Sequence, residues 1–339
     1  MGMLNGAATA LGLSVGHRTG AFDTMSGLAP SSSQQIADAA GLNERYVREW
    51  LNGMVVGGVV DYDAASGNYS LPAEHAASLT RAAGPGNIAS MTQFLPLVAG
   101  VEDEIVDVFA KGGGVPYSSF ASFGALMAES SAERFDFNLI DTQIPLVPGV
   151  VDQLEAGIDV ADFGCGSGHA INLMAKQWPQ SRFTGFDFSQ EAIDRGRAEA
   201  SAIGLTNANH EVQDVANVPG EDRFDFITTF DAVHDQANPA GMLESVARTL
   251  RPDGTYLCAD IKASSRVEEN LDLPMGQFFY TISLFHCMTV SLALDGEGLG
   301  AMWGEQKALE MLGDAGFTEI AVETVEGDLI NNYYIATTG

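Results

Sequence analysis

Apolar positions recur at two different periods along this 339-residue chain, and the change of period divides it. In the first part the spacing is helical. Ser32 stands three residues before Gln35, the spacing of a capping box, and opens a short helix that Gly41 ends. Asn43 can cap the next, in which Tyr46, Val47, Trp50, Leu51, Met54 and Val55 share one face before Gly57-Gly58 stops it. Val59-Val60-Asp61-Tyr62, a turn through Ser66-Gly67-Asn68, and Tyr69-Ser70-Leu71 read as a β-hairpin. Two helices and a hairpin make a winged-helix module, here placed at residues 1–83, with a helical connecting layer at 84–150 whose apolar stretches include 94–101, 105–109 and 139–146.

From Ile158 the pattern changes to short apolar runs separated by helical ones. Residues 158–163, 182–186, 209–212, 224–230 and 255–261 are expected as strands, with helices near 169–177, 189–203 and 239–250. Strand and helix in alternation imply a Rossmann-like, doubly wound α/β sheet with crossover helices, assigned to residues 151–339. An insertion at about 264–303 is rich in Leu273, Met275, Phe278, Phe279, Tyr280, Phe285, Met288 and Trp303.

Charge narrows the function. Sixteen basic residues face 45 acidic ones, a net charge of −29, which repels polyanions. The helix 44–55 sets Glu44 and Glu49 against Arg45 and Arg48 and offers phosphates no positive face, so nucleic acid is not an expected partner. The chain has no run of 18 uncharged apolar residues, and its start lacks a signal pattern, so a cytoplasmic protein without membrane contact is expected. Cys165, Cys258 and Cys287 are odd in number and far apart, which argues for free thiols. No metal is expected, because His286-Cys287 lacks a second paired ligand.

Chemistry concentrates in Asp162-Phe163-Gly164-Cys165-Gly166-Ser167-Gly168, directly after the first strand of the second part. A nicotinamide fingerprint would need glycine at 169, where His169 stands, so an oxidoreductase is disfavoured. Acidic residues follow each of the next strands: Asp187, nineteen residues past Gly168 and suited to ribose hydroxyls, then Asp214, placed to meet an adenine amino group, then Asp231. Carboxylates at successive carboxyl ends of strands form a specific constellation.

On these residues the chain resembles the class I S-adenosylmethionine-dependent methyltransferases. Its stretches HRTGAFDTM (17–25), RYVREWL (45–51) and FHCMTVSLA (285–293) are similar to those of actinobacterial methyltransferases of the same two-part plan, mycobacterial ones included. The resemblance implies S-adenosyl-L-methionine as cofactor, held at Asp162, Gly164, Cys165, Gly166 and Gly168 around its methionine portion, at Asp187 and Phe188 around the ribose, and at Asp214 and Val215 around adenine, with Phe230 alongside. It implies methylation of a small, partly apolar molecule, at oxygen first, at sulfur or nitrogen otherwise. His234, in the pair His234-Asp235 past the fourth strand, is the expected general base, with Glu305 the suggested carboxylate behind it. Phe279, Tyr280, His286 and Trp303 are expected to meet the acceptor. The winged-helix module implies a homodimer, as does the apolar surface of Leu4–Ala10 and Leu11–Val15. A ligand-sensing transcriptional regulator is the competing class.

Overall fold

The computed structural model describes all 339 residues, in two compact units, Met1–Ala99 and Gly100–Gly339. The division falls inside the stretch expected as a connecting layer. No helix is long and apolar enough to cross a membrane.

In the first unit, helices Gly2–Arg18, Ala21–Ser26, Ser33–Ala40 and Glu44–Val56 precede strands β1 (Asp61–Asp63) and β2 (Asn68–Ser70), an antiparallel pair. The local signals act as expected. Ser32 and Gln35 form the reciprocal capping box, Gly41 ends that helix at φ 67°, and Asn43 Oδ1 accepts from Arg45 N at 3.1 Å. Phe22, Ile36, Val47, Leu51 and Met54 fill the core. The expected first strand is corrected at its start: Val59 and Val60 precede it, and Val60 is drawn into the helical core instead of pairing. On the helix Glu44–Val56, Arg45 pairs with Glu49 at 2.5 Å and Arg48 with Glu44 at 3.3 Å, so its arginines are neutralised on their own helix.

In the second unit a seven-stranded sheet is built from β3 (Asp159–Phe163), β4 (Arg182–Asp187), β5 (Ala208–Val212), β6 (Phe224–Phe230), β7 (Leu250–Ile261), β8 (Glu319–Glu323) and β9 (Asn331–Thr337). The strand order is β5-β4-β3-β6-β7-β9-β8. The first five strands run parallel, while β9 pairs antiparallel with both β7 and β8. Each central strand is apolar on both faces, as a sheet covered on both sides requires. Val160, Phe183, Phe226 and Leu257 pack on one face, and Phe163, Phe186, Ile227 and Tyr256 on the other.

Two points differ from expectation. The strand expected at 255–261 begins at Leu250 and carries a register shift opposite Phe224/Phe226. The antiparallel pair β8–β9 was not foreseen. The chain order reverses at β3, whose neighbours are β4 and β6, and in such sheets the crevice beyond the carboxyl ends at that reversal receives ligands.

Candidate functional site

The glycine turn leaves β3 at that reversal. Gly164, Gly166 and Gly168 have φ of 72°, 54° and 70°, the left-handed region that side chains resist. Two of them are also crowded: a Cβ on Gly164 would lie 2.6 Å from the Ala232 methyl, and one on Gly168 2.5 Å from His210 Nε2. At Gly166 the space where a Cβ would stand is open. Asp187, at the end of β4, fastens the turn by accepting from Gly166 N at 3.0 Å and from Ser189 N at 2.8 Å. Burial raises the Asp187 carboxyl above its ordinary range, and the two backbone donors oppose that rise.

A cavity of about 280 Å³ opens beside the turn. Its lining includes Gly164, Asp187, Phe188, Asp214 and Val215, five of the residues expected at the cofactor, drawn from the ends of β3, β4 and β5. Asp214 accepts from Ala216 N at 3.0 Å and Asn217 Nδ2 at 2.8 Å, which shapes the tight turn Val215–Asn217. Phe188 is 55% exposed, with its ring 5.5 Å from Tyr117. Tyr117, Asp235, Gln236 and Leu294 also line the cavity.

Other expected residues stand elsewhere. Asp162 is buried beneath the turn, accepting from Thr228 Oγ1 at 2.8 Å, and burial lifts its carboxyl to about 7. It is not among the residues that line the cavity and stands beneath the turn. Cys165 fills the space a side chain on Gly185 would need, 2.7 Å from its would-be Cβ. Phe230 is not among the lining residues and packs edge-on against Phe135, with centroids 5.0 Å apart. Asp231, the acid after β6, is spent on an ion pair with Arg134 at 2.5 Å.

His234 is buried, and its Nδ1 lies 2.7 Å from Asp260 Oδ1 while its Nε2 lies 3.3 Å from Asp235 Oδ1. Burial alone would depress the imidazole, but Asp260 and Asp235, with Cys287, hold it well above the usual histidine range. The suggestion that Glu305 orients this ring is corrected. Glu305 instead accepts from Asn332 Nδ2 at 3.2 Å, and the carboxylate behind His234 is Asp260, near the end of β7. Its signal was present in the sequence: Asp260 obeys the same strand-end rule that singled out Asp187 and Asp214.

The insertion places its aromatics differently from a lid whose rings all face an acceptor. Trp303 is buried and donates its indole N–H to Asp260 Oδ1 at 3.0 Å, so it supports the carboxylate from behind. Phe279 packs in a cluster with Ile261, Cys287 and Met302. The Tyr280 hydroxyl accepts from Asn270 Nδ2 at 3.1 Å. His286 stacks on Phe123, centroids 3.7 Å apart, and stands edge-on to Tyr117 and Phe120. Burial presses its imidazole down to about 4, so it is neutral, and its Nε2 is buried without a partner. Tyr117, Phe120 and Phe123 come from the helical layer, where no sequence pattern marked them.

A larger open groove of about 540 Å³ lies at the opposite, amino-terminal end of the strands, lined by Arg182, Arg251, Asp159 and their neighbours. These charges are already paired, Arg182 with Asp159 at 2.7 Å and Arg251 with Asp225 at 2.5 Å, so the groove offers a ligand little.

Comparison with known proteins agrees with this geometry. Residues 7–81 match the family model of the Rv2258c-like winged HTH domain, and residues 154–316 that of the methyltransferase domain. The chain is 26% identical over 122 residues to the ubiquinone/menaquinone biosynthesis C-methyltransferase UbiE of Desulfotalea psychrophila, covering 36% of this chain and 47% of that protein. It is 28% identical over 114 residues to the fatty-acid O-methyltransferase of Mycolicibacterium smegmatis, covering 33% and 40%. Each match thus spans less than half of the relative's length. Human N-acetylserotonin methyltransferase, solved in complex with SAM, superposes with a TM-score of 0.72 at 16% identity over 99% of this chain and 96% of its own, a likeness of fold. With both modules matched in order and the site at the carboxyl ends of the strands, the chain belongs to the class I S-adenosylmethionine-dependent methyltransferases that carry an amino-terminal winged-helix domain.

Proposed function

We propose that this protein binds S-adenosylmethionine in the cavity beside the glycine turn and methylates a hydroxyl oxygen of a small, partly apolar molecule. The observation that carries this reading is the pair His234–Asp260, with Nδ1 engaged at 2.7 Å and Nε2 left on the side of Asp235, a cavity-lining residue. The cavity suits the cofactor. Asp187 keeps lone pairs for ribose hydroxyls after serving two backbone donors, Phe188 offers an exposed ring, and Gly164 and Gly166 admit close approach of backbone. Carboxylates around the turn match a ligand carrying an amino group and a sulfonium, and no pyrophosphate.

When bound, the cofactor supplies an electrophilic methyl group. The protein's own work is to align the acceptor in line with it, which accounts for much of the rate in such reactions, and to take the acceptor's proton. With Asp260 holding Nδ1–H, Nε2 of the deprotonated ring can accept that proton. Because Asp260 and Asp235 hold the imidazole well above the usual histidine range, this base form is reached only as pH rises, and the same carboxylates stabilise the imidazolium that results. General-base help of this kind contributes about a hundred- to ten-thousand-fold. Trp303 and the Ile261 backbone N–H, at 3.0 and 2.8 Å, keep the Asp260 oxygen in place. Tyr117, which lines the cavity, is backed by Phe123 and His286 in an aromatic group that gives the acceptor side an apolar character.

The likeness to a fatty-acid O-methyltransferase and to N-acetylserotonin methyltransferase supports small acceptors without choosing among them. A regulator reading is disfavoured by the arginines on the helix Glu44–Val56, each already tied to a glutamate. The helix Gly2–Arg18 leaves Met3, Leu4, Leu11 and Val15 exposed, and a second copy of the chain is the partner that would cover them. The test is calorimetry with S-adenosylhomocysteine, followed by a methyl-transfer screen over phenols, thiols and carboxylates. Absence of heat would sink the cofactor assignment, and turnover of thiols alone would move the acceptor atom to sulfur.

A further inference from the structure

One ligand atom from each of His234, Asp235 and Cys287, an adjacent pair and a residue more than fifty positions away, lies within 4.8 Å of the other two. We propose that these three atoms form a binding site for a zinc-class divalent cation, whose occupancy silences methyl transfer.

Several observations converge on it. Nitrogen and oxygen ligands about 2.0 to 2.1 Å from a tetrahedral zinc stand about 3.3 Å apart, and Nε2 and Oδ1 are separated by 3.3 Å. Asp235 Oδ1 is buried with no hydrogen-bond partner, although Nε2 is so near. Cys287 Sγ lies within 4.8 Å of a ligand atom of both His234 and Asp235. Behind the first ligand stands the support that metal-binding histidines use: Asp260 holds Nδ1 at 2.7 Å, which fixes the ring and leaves Nε2 to coordinate. Asp235 is steadied in turn by Tyr117, whose hydroxyl donates to Oδ2 at 3.3 Å. One thiolate, one imidazole and one carboxylate favour zinc over magnesium or calcium, which prefer all-oxygen sites.

Charge also balances. The dication is neutralised by the Asp235 carboxylate and the Cys287 thiolate, with two protons, that of the Cys287 thiol and the one that Asp260 and Asp235 favour on the His234 ring, leaving to solvent as the metal enters. Three protein ligands leave a fourth tetrahedral position for water, and Asp235 lines the cavity through which an ion could arrive. The expectation that no metal binds rested on His286-Cys287 lacking a paired ligand. The fold provides the pair from residues 234 and 235.

The silencing rests on the reading of His234 as base, because a metal on Nε2 takes the lone pair that would receive the acceptor's proton. The metal site itself does not rest on it. The experiment uses the full chain, freed of metal by chelator. Cobalt(II) is titrated as a spectroscopic stand-in while the visible bands of tetrahedral cobalt and the near-ultraviolet thiolate charge-transfer band are recorded. One equivalent per chain should bring up both. Cys287→Ser should abolish the charge-transfer band, and Asp235→Asn should weaken zinc binding in equilibrium dialysis about tenfold or more. No thiolate band, or a band that survives Cys287→Ser, overturns the site. On an accepted hydroxyl substrate, zinc should suppress turnover and chelator restore it; zinc that binds but leaves turnover unchanged or raises it overturns the silencing. S-adenosylhomocysteine calorimetry on the same metal-free protein separates the failures. Heat without a cobalt spectrum removes only the metal site, and a cobalt spectrum without heat removes only the methyltransferase reading.

Discussion

Asp260 accepts a hydrogen bond from His234 Nδ1 at 2.7 Å through the same oxygen that receives the Trp303 indole N–H and the Ile261 backbone N–H. Three donors on one carboxylate oxygen hold it where the imidazole needs it. Asp260→Asn can turn an amide N–H toward His234 and so favour the wrong tautomer. Turnover on a hydroxyl acceptor is expected to fall at least about a hundredfold, as for His234→Ala. S-adenosylhomocysteine affinity, measured by calorimetry, should stay within a few-fold. If turnover survives His234→Ala with cofactor binding intact, the base is another group.

Trp303→Phe keeps an aromatic ring, though a smaller one, and removes one of the three donors. A decrease of a few-fold to tenfold in kcat is expected, with KM for the cofactor unchanged, because the loss is that of a hydrogen bond to a charged group, about 1.5 kcal/mol or more if fully expressed. A rise in cofactor KM without change in kcat would place Trp303 in binding and not behind the base.

Asp187 fastens the glycine turn and is the proposed holder of the cofactor's ribose. Asp187→Ala should abolish the heat of S-adenosylhomocysteine binding, and the freed Gly166 and Ser189 amides should lower the thermal midpoint. Unchanged calorimetric affinity would remove Asp187 from the cofactor site.

Gly164→Ala combines two costs. A left-handed φ of 72° disfavours alanine by about 1–2 kcal/mol, and its methyl would stand 2.6 Å from the Ala232 methyl, an overpacking that costs about 1–3 kcal/mol. Urea unfolding should show a loss of about 2–5 kcal/mol. Gly166→Ala shares the strained φ but has open space around the added methyl, so it should lose only the smaller, backbone part while still impairing cofactor binding.

Asp162 imposes a pH dependence on stability. Burial raises its folded value to about 7, against about 3.9 for an unfolded aspartate. A raised value means that the folded state prefers the protonated form. The contribution is therefore fully present below about pH 4 and is lost as pH rises toward 7, up to ~4 kcal/mol for a shift of this size. Asp162→Asn keeps an oxygen that can accept from Thr228 and has no charge to bury. Relative to wild type it should gain stability between pH 5 and pH 8 in urea titrations at both values, and a constant difference would refute the assignment.

Helix capping, hairpin turns and the strand–helix alternation are local, and so they could be read along the chain. Ser32, Gln35, Gly41 and Asn43 act within a few residues of themselves, and the parallel strands β3, β4 and β6 announce themselves because burial on both faces enriches them in apolar residues. The acids at strand ends were legible for the same reason: their place follows from where each strand stops. The β8–β9 pair was not, since β8 alternates exposed with half-buried positions at the sheet edge and β9 joins antiparallel against β7. Nor could the chain alone say which acid backs His234. Asp260 has the strand-end position that Glu305 lacks, but only the packing of Trp303 against the end of β7 put Asp260 at 2.7 Å and left Glu305 with Asn332. The aromatic group of Tyr117, Phe123 and His286, and the meeting of Cys287 with His234 and Asp235, likewise join residues more than fifty positions apart, whose proximity depends on a π-helical turn at Ser283–Cys287 and on how the helical layer closes over the sheet. Contacts between distant segments carry no periodic signature in one chain, because they arise from the shapes that remain after the local elements have formed.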